Sequence, residues 1–190
     1  MNIANNETLK SIVNRRSIRH FKQDQLSSEE IDVIVRAGIY APSAYNKQEW
    51  YFTVVQNKMI LEDLNIAAKE VASTSNDKQL VELANKEDFN IFYNAPTVVI
   101  VSGKKHGLTP IIDCSLATQN MMLAAHSLNI ASCWNGIITL LFNSLVADDF
   151  RKLLNIPAGY IPHHAVSLGY SDSPVLEPPA RNFNVVNYVK

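Results

Sequence analysis

The stretch TPIIDCSLATQNMMLAAHSL, residues 109–128, decides how the rest of this chain can fold. Thr109 and Pro110 are typical of a helix start, as cap and first-turn residue, and they predict a helix through the whole stretch. One face is apolar at three- and four-residue spacing, with Cys114, Ala117, Met121, Ala124 and Leu128. Leu116 and Leu123 make another side apolar too. A helix that is apolar on several sides has to be buried on several sides, so we expect it at the centre of the domain. A second subunit is one way to cover it.

Two helices are expected before this stretch. Residues 6–14 can form a short helix with its apolar side chains inward. These side chains are Leu9, Ile12 and Val13. The second helix begins where Ser27 and Glu30 have capping-box spacing. It ends before Pro42, because proline lacks a hydrogen-bond donor and pushes the preceding residue out of the helical region.

Runs rich in β-branched and aromatic residues predict four strands. They cover residues 50–55, 97–101, 132–138 and 165–170. A polar helical stretch is expected over 58–88, and a further helix over 144–154. Helices around a modest sheet, without regular strand–helix–strand alternation, indicate the α+β class. A chain of 190 residues that is 47% hydrophobic fits a single domain over residues 1–190.

Charge, hydropathy and cysteine content exclude several classes of protein. The formal net charge is -1 and the basic residues are spread along the chain, so no long-range field would attract nucleic acid or an anionic membrane. No segment approaches the ~20 apolar residues that a membrane span needs. We therefore expect a cytoplasmic protein whose partners are small molecules. The two cysteines, Cys114 and Cys133, are too few for a disulfide framework or a four-ligand zinc site, and we expect buried free thiols.

The first candidate binding segment is RRSIRHF, residues 15–21. It places three guanidinium groups and a hydroxyl directly after a helix, on Arg15, Arg16, Arg19 and Ser17. Arginine is a forked, permanently charged donor, so such a cluster suits a phosphate. An equally good explanation is that Arg15 and Arg16 complement the negative end of the helix dipole. The segment alone leaves both explanations open.

The second candidate segment is APSAYNKQEW, residues 41–50, which offers Ser43, Asn46 and Gln48 before a strand. Amide side chains donate and accept at once, as the edge of a flavin or a nucleobase requires. An ordinary turn explains the same residues, because Pro, Ser and Asn are standard in turns. For this segment taken alone, the turn is the better explanation.

The third candidate is ASCWNGI, residues 131–137, in which Gly136 follows Trp134 and would let the backbone approach a planar ligand closely. A strand with a bulge is the alternative. The fourth is Arg181, a lone basic residue in the proline-rich tail, and most such arginines are only solvated.

No other chemistry competes with these segments. His163 and His164 are adjacent and should point to opposite faces of a strand, so we expect structural histidines and no metal site. The sequence contains no glycine-rich dinucleotide fingerprint, phosphate-cradling loop, HExxH or GxSxG motif.

Taken together and in this order, the segments resemble the nitroreductase family. The pattern consists of RRSIRHF, APSxxNxQxW, DxxxATQNMMLAA, CWNG, PHHAVSLGY and PPAR, and it spans nearly the whole chain. The resemblance implies an α+β sandwich with a central, mainly antiparallel sheet flanked by helices. It also implies a homodimer with two FMN sites at the subunit interface.

The resemblance assigns roles to the candidate residues. Those that hold the phosphate, the ribityl chain and the pyrimidine side of the flavin are Arg15, Ser17 and Arg19, with Arg16 nearby. Those that come from the other subunit are Pro42, Ser43, Ala44, Asn46 and Gln48. Those beside the ring, chiefly through backbone groups, are Trp134, Asn135 and Gly136. Arg181 would return to the phosphate.

The reaction that the resemblance implies is hydride transfer from NADH or NADPH to FMN, followed by electron transfer to a nitroaromatic, quinone or similar small acceptor in a ping-pong mechanism. The cofactor carries this chemistry, so no catalytic side chain is expected. Two alternatives stay open. One is a family relative with another reaction, reductive dehalogenation or flavin breakdown, and the other is a flavin-binding or sensing protein without turnover.

Two positions depart from the family pattern. Glu49 stands where the pattern NxQPW has proline, and it bears on which substrate enters. Asn182 follows Arg181 where a second basic residue is common, which leaves the phosphate with less positive charge and should weaken FMN binding.

Overall fold

A computed structural model describes residues 6–171, 173 and 177–190 of the chain. In order, its helices and strands are α1 (Glu7–Asn14), α2 (Ser28–Ile39), β1 (Trp50–Val55), α3 (Lys58–Ser73), α4 (Lys78–Ala84), β2 (Thr97–Lys104), α5 (Pro110–Ser127), β3 (Ala131–Asn135), α6 (Ile138–Phe142), α7 (Ala147–Leu153) and β4 (Tyr160–Gly169). A 3-10 turn, Ala44–Asn46, lies between α2 and β1.

The four strands form one sheet in the order β1-β2-β4-β3, and every neighbouring pair is antiparallel. Seven helices accompany this sheet over the described residues. None of these helices is both long enough and apolar enough to cross a membrane. The predicted α+β class, with an antiparallel sheet flanked by helices, is confirmed.

Helices cover both faces of the sheet. On one face, Val99 and Val101 of β2 belong to a core cluster that includes residues of α2 and α5. On the other face, Val98 and Ile100 belong to a second cluster that includes residues of α3 and α6. Strand β2 is therefore buried on both sides, which explains why residues 98–101 are continuously apolar rather than alternating.

The predicted capping box of α2 is confirmed. Ser27 Oγ accepts the N–H of Glu30 at 3.2 Å, and the Glu30 carboxylate accepts the N–H of Ser27 at 2.9 Å. The Tyr170 hydroxyl donates to the same carboxylate at 2.7 Å. Helix α2 packs closely on α5 at Gly38, where a Cβ atom would lie only 2.9 Å from Met121 Cγ.

Among the described residues of a single chain, helix α5 is buried on one side only. Its buried residues are Asp113, Cys114, Ala117, Thr118, Met121, Met122 and Ala125. On the opposite side Ile111, Ile112 and Leu116 are 60%, 59% and 41% exposed. Helix α1 buries none of its residues, and Ile12 and Val13 are exposed. The predicted inward side of α1 and the many-sided burial of α5 are therefore wrong for one chain.

The start of α5 is as predicted, but its cap is different. Thr109 makes no capping bond to a backbone N–H. Its hydroxyl donates instead to the buried carboxylate of Asp113 at 3.0 Å. The predicted state of the two cysteines is confirmed, since Cys114 and Cys133 are free and buried.

Three other boundaries differ from the prediction. The polar stretch over 58–88 contains two helices, because Asp77 caps a new helix by accepting the N–H groups of Gln79 and Leu80. The strand predicted over 132–138 ends at Asn135, and α6 follows it without having been predicted. The helix predicted over 144–154 is α7, which is shorter and spans Ala147–Leu153.

Strand β4 begins at Tyr160, earlier than predicted. The extension contains Pro162, which argues against a regular central strand because proline donates no ladder bond. The register with β2 shifts between Val101 and Ser102, and His163 is the extra residue of a β-bulge. Such a bulge is one of the few places in a sheet where proline is tolerated.

The bulge overturns the expectation that His163 and His164 point to opposite faces. His164 Nε2 lies 2.7 Å from Thr118 Oγ1 of α5. A Cβ atom added to Gly103 would point toward α5, since it would lie 2.7 Å from Pro110 Cβ. The same Cβ position lies 2.9 Å from His163 Nε2. Both imidazoles are therefore on the α5 side. Among the described residues, no group of three or more His, Cys, Asp or Glu side chains is placed to hold a metal ion.

The burial of His164 makes stability depend on pH. Burial lowers the pKa of His164 from 6.5 to about 4, so the imidazole is neutral in the fold and takes up a proton on unfolding below about pH 6.5. Its contribution to the free energy of unfolding is complete above about pH 6.5, and about 3 kcal/mol is lost as the pH falls to about 4. We expect His164→Gln to remove this loss in urea unfolding at one protein concentration. His20→Gln, at an exposed histidine, should leave the pH dependence of the free energy of unfolding as in wild type. If wild type and His164→Gln lose the same free energy of unfolding as the pH falls, the prediction is wrong.

Candidate functional site

Residues 15–19 lie along the outer edge of β3. Ser17 forms a parallel bridge with Ser132, and the Ile18 N–H donates to the Ser132 carbonyl at 3.0 Å. Strand β3 is the last strand of the sheet, so this segment takes the place of a further strand. The first and third candidate segments of the sequence are thereby brought together.

Arg15 carries a buried donor without a partner. Its Nη1 atom has no hydrogen-bond acceptor among the described residues. Burial, and then the charge of Arg16, lower the pKa of Arg15, and the charge of Arg181 acts in the same direction. Arg181 therefore lies near enough to influence Arg15, although it is exposed. A buried cationic donor with further cations around it fits an anionic ligand.

Arg15 and Arg16 line a cavity of about 260 Å³, together with His126 and Ser132. We call it the arginine cavity, and none of the described residues that line it is acidic. Arg16 Nη1 donates to the carbonyls of Val13 and Arg15 at 2.7 and 2.8 Å. The helix-end explanation thus applies to Arg16, whereas the unpartnered Nη1 of Arg15 favours the ligand explanation.

A second cavity of about 490 Å³ is lined by Arg19, Tyr93, Trp134, Asn135, Gly136 and Leu140. We call it the aromatic cavity. Arg19 stands at the other end of the segment that begins with Arg15, and four residues of extended chain span roughly 13 Å. The two cavities therefore flank one short stretch of chain, with cations at both ends and aromatic rings at one.

Trp134 forms a fixed part of the wall of the aromatic cavity. The residue is 51% exposed, and its ring centroid lies 5.8 Å from that of His164. A Cβ on Gly136 would overlap the indole. The close approach predicted at Gly136 is therefore made by the side chain of Trp134 itself, which leaves a half-exposed aromatic ring beside the Gly136 backbone.

The side chain of Asn135 has structural partners. Its Nδ2 donates to the carbonyl of Ile91, and its Oδ1 accepts the N–H of Ile138 at 3.3 Å. These bonds fix the turn from β3 into α6. A ligand in the aromatic cavity would consequently meet the backbone of Asn135 rather than its amide.

Tyr93 is a cavity residue that the sequence analysis missed. Its φ is 58°, an uncommon conformation for an aromatic residue and one typical of functional sites. Arg19 Cζ lies 5.6 Å from the Tyr93 ring centroid, and a hydrogen bond with this side chain raises the pKa of Arg19. The run Tyr-Asn-Ala-Pro, residues 93–96, is a turn signal, but it gives no sign that the ring contacts an arginine so distant in sequence.

The second candidate segment forms a strained loop. Tyr45, Asn46 and Gln48 have φ values of 50°, 54° and 51°, and of these residue types only asparagine adopts this conformation readily. Ser43 Oγ accepts the Gln48 N–H at 2.9 Å, and Gln48 Nε2 donates to Asn46 Oδ1 at 3.0 Å. An ordinary turn does not need this strain, which favours the binding explanation.

Within one chain this loop does not meet the arginines. The Ala44 N–H donates to the Asp113 carboxylate at 3.3 Å, at the start of α5. His126, in the last turn of α5, lines the arginine cavity. From Asp113 to His126 the helix rises roughly 20 Å. The fold thus brings residues 15–19 to β3 and leaves residues 42–48 at the far end of α5.

Glu49, the departure from the family pattern, holds the loop in place. Its carboxylate lies 3.2 Å from Lys104 Nζ, and its carbonyl accepts the Lys104 N–H at 3.0 Å. The same carboxylate lies 2.9 Å from the position of a Cβ on Gly107. Glu49 therefore ties the loop to the end of β2.

Similarity to known proteins identifies the family of this chain. A model described as the nitroreductase family matches residues 12–170. The chain belongs to the nitroreductase family. The resemblance drawn from the motifs is confirmed, and membership makes this protein an oxidoreductase.

Two solved nitroreductases with bound FMN are similar to this family member. That of Bacteroides fragilis is 34% identical with a TM-score of 0.90, over 97% of this chain and 100% of the other. That of Desulfitobacterium hafniense is 32% identical with a TM-score of 0.89, over 97% and 99%. A protein of Archaeoglobus fulgidus, provisionally named NADH dehydrogenase/NAD(P)H nitroreductase, is 33% identical over 86% of this chain and 85% of its own. An iodotyrosine deiodinase shares the fold, with a TM-score of 0.75 at 20% identity.

Proposed function

We propose that this chain is an FMN-dependent oxidoreductase that works as a homodimer, takes hydride from NADH or NADPH and passes electrons to a nitroaromatic, quinone or similar small acceptor. The observation that carries the proposal is the pair of cavities along residues 15–19, one rich in cations and one lined by aromatic rings. FMN has two matching parts, a phosphate and a planar ring joined by the ribityl chain. The FMN-bound relatives from Bacteroides fragilis and Desulfitobacterium hafniense support the same conclusion.

The residues around the arginine cavity fit the phosphate. Arg15 Nη1 needs an acceptor, and the cavity offers no acidic residue of the described chain to supply one. Ser17 would add a hydroxyl, and Arg181 would approach from the tail. A phosphate dianion satisfies several charged donors at once, which makes it a better partner for this cluster than a neutral group.

The residues around the aromatic cavity fit the ring. Trp134 and Gly136 would lie beside it, and Asn135 would contribute its backbone. Arg19, held by Tyr93, would stand at the pyrimidine side, where a permanent positive charge stabilises negative charge.

When bound, FMN supplies the electron-transfer chemistry, while the chain binds and orients. Two potentially reactive side chains that neighbour Trp134, those of Cys133 and His164, are poorly suited to react themselves. His164 is buried and bonded to Thr118, and burial raises the pKa of Cys133, which keeps its thiol protonated. The proposal therefore assigns no side chain the role of nucleophile or general acid.

A second copy of the chain would complete the site. The strained loop is held roughly 20 Å from the arginine cavity of its own chain, measured along α5. The apolar side of α5, with Ile111, Ile112 and Leu116, is uncovered. Two copies that bury this side against each other would bring the loop of one to the flavin of the other. The loop residues concerned are Pro42, Ser43, Ala44, Asn46 and Gln48.

The phosphate site predicts a specific loss of FMN affinity. Arg15→Gln removes one charged hydrogen bond, about 1.5 to 3 kcal/mol, and should weaken FMN binding roughly tenfold to a hundredfold in a fluorescence titration. Riboflavin, which lacks the phosphate, should bind wild type and variant alike. Arg36→Gln, at an exposed arginine of α2, is the control and should change neither affinity. Unchanged FMN binding by Arg15→Gln would reject this role.

The proposed dimer predicts that a charged substitution disrupts the protein because it lies on the apolar side of α5, and not because the replaced side chain is highly exposed. Ile112→Glu should give monomers with little bound flavin, because it places a charge in the proposed interface on α5. Met59→Glu, at a methionine of α3 that is 74% exposed compared with 59% for Ile112, should leave the dimer intact. Light scattering and the flavin absorbance of the same sample check both results. A flavin-loaded dimer of Ile112→Glu would place the interface elsewhere.

The reaction itself is tested by steady-state kinetics. We expect NADH or NADPH to reduce the bound flavin and a quinone or nitroaromatic to reoxidise it. If donor and acceptor use one site in turn, double-reciprocal plots are parallel and each substrate inhibits competitively against the other. Intersecting lines would show two simultaneous sites. A protein that holds FMN but does not oxidise the nicotinamide would instead be a flavin-binding protein without turnover.

A further inference from the structure

His126 belongs to the arginine cavity, although no motif of the sequence singles it out. It lies in the last turn of α5, is partly buried and lines the cavity with Arg15 and Arg16. The chain turns three residues later, at Asn129, whose φ is 58°. His126 therefore lines the same cavity as the guanidinium groups of Arg15 and Arg16.

The charges around His126 are positive. Among the described residues, the charges that act on it are those of Arg15 and Arg16, from the segment that follows α1. The other charged groups of α1, Glu7 and Lys10, pair with each other at 2.6 Å. The titratable group of β3 that borders this segment is the Cys133 thiol, which burial keeps protonated by raising its pKa. Among the described residues, the Nη1 atom of Arg15 has no hydrogen-bond acceptor.

We propose that His126 is a third, titratable donor to the anion held by Arg15 and Arg16, and that FMN binding through its phosphate becomes stronger as His126 takes up a proton. The inference rests on the proposed function and deepens it. It adds a residue to the phosphate site and makes retention of the cofactor sensitive to pH.

The direction of the effect follows from the charges. Burial, and then Arg15 and Arg16, hold the pKa of His126 below its ordinary 6.5 without a ligand. A phosphate dianion bound in the cavity places an opposite charge beside the imidazole, so the pKa of His126 is raised in the complex. Binding takes up a proton between these two pKa values. Affinity therefore gains from His126 as the pH falls through this window, and the gain is constant once the imidazole is protonated in both states.

The phosphate of FMN titrates as well, with a second pKa near 6 for a phosphate ester, and this opposes the gain at low pH. The effect of His126 is consequently visible as a difference between variants. His126→Gln keeps a polar side chain that never carries charge. His126→Lys carries charge across the whole range.

The test is the Kd of FMN and of riboflavin, measured by fluorescence titration between about pH 5.5 and about pH 8.5 for wild type and both variants. At the acidic end we expect wild type to bind FMN about tenfold more tightly than His126→Gln, and at the basic end about equally. His126→Lys should restore tight FMN binding at both ends. Riboflavin should show none of these differences.

The outcomes separate the two proposals. FMN curves of wild type and His126→Gln that stay parallel across the pH range overturn the role of His126 but leave the flavin site intact. A chain that binds neither FMN nor riboflavin overturns the proposed function as well. If His126→Gln does not fold, imidazole NMR of the wild-type chain decides. The imidazole signal of His126 is assigned by correlation with the backbone resonances of that residue. It should titrate at higher pH with FMN than with riboflavin. Equal titration midpoints would overturn the inference.

Discussion

Helix α5 has more apolar surface than a single chain covers, and the rest of the structure depends on how this surface is shared. One side packs on the sheet and on α2, where Gly38 allows a close approach. The opposite side stays exposed. The two ends of the same helix carry the two halves of the candidate site, since Asp113 holds the strained loop and His126 borders the arginine cavity. Helix α5 therefore fixes the distance between the strained loop and the arginine cavity of the same chain.

The sequence predicted the elements whose signals are local. The capping box at Ser27 and Glu30 and the start of α5 at Pro110 depend on neighbours a few residues away, and these elements are confirmed. Features that depend on distant partners were missed or wrong. The bulge at His163 exists only through the register with β2, and Ile12 is apolar but 51% exposed. Periodicity indicates which side of a helix should be covered, but not which molecule covers it.

The candidate site shows the same division. The motifs identified the segments, and the structure places residues 15–19 and 134–136 together as the pattern suggested. It also separates residues that look alike in sequence. Arg16 caps a helix end while Arg15 has a buried donor without a partner, and no composition or spacing rule distinguishes two adjacent arginines. Tyr93 was invisible because its value lies in a contact with Arg19 across the fold. The assignment of these residues to a flavin stays a prediction.

The pairing of Ser17 with Ser132 has a consequence for the behaviour of the chain in a crowded solution. Strand β3 is an outer strand, and its free N–H and C=O groups would otherwise be a template for another chain. The segment that carries the candidate phosphate ligands blocks this template. Any change that loosens this segment would expose the unpaired N–H and C=O groups of β3 together with the candidate site. Detachment of residues 15–19 would therefore favour pairing of β3 with a second chain, and so aggregation.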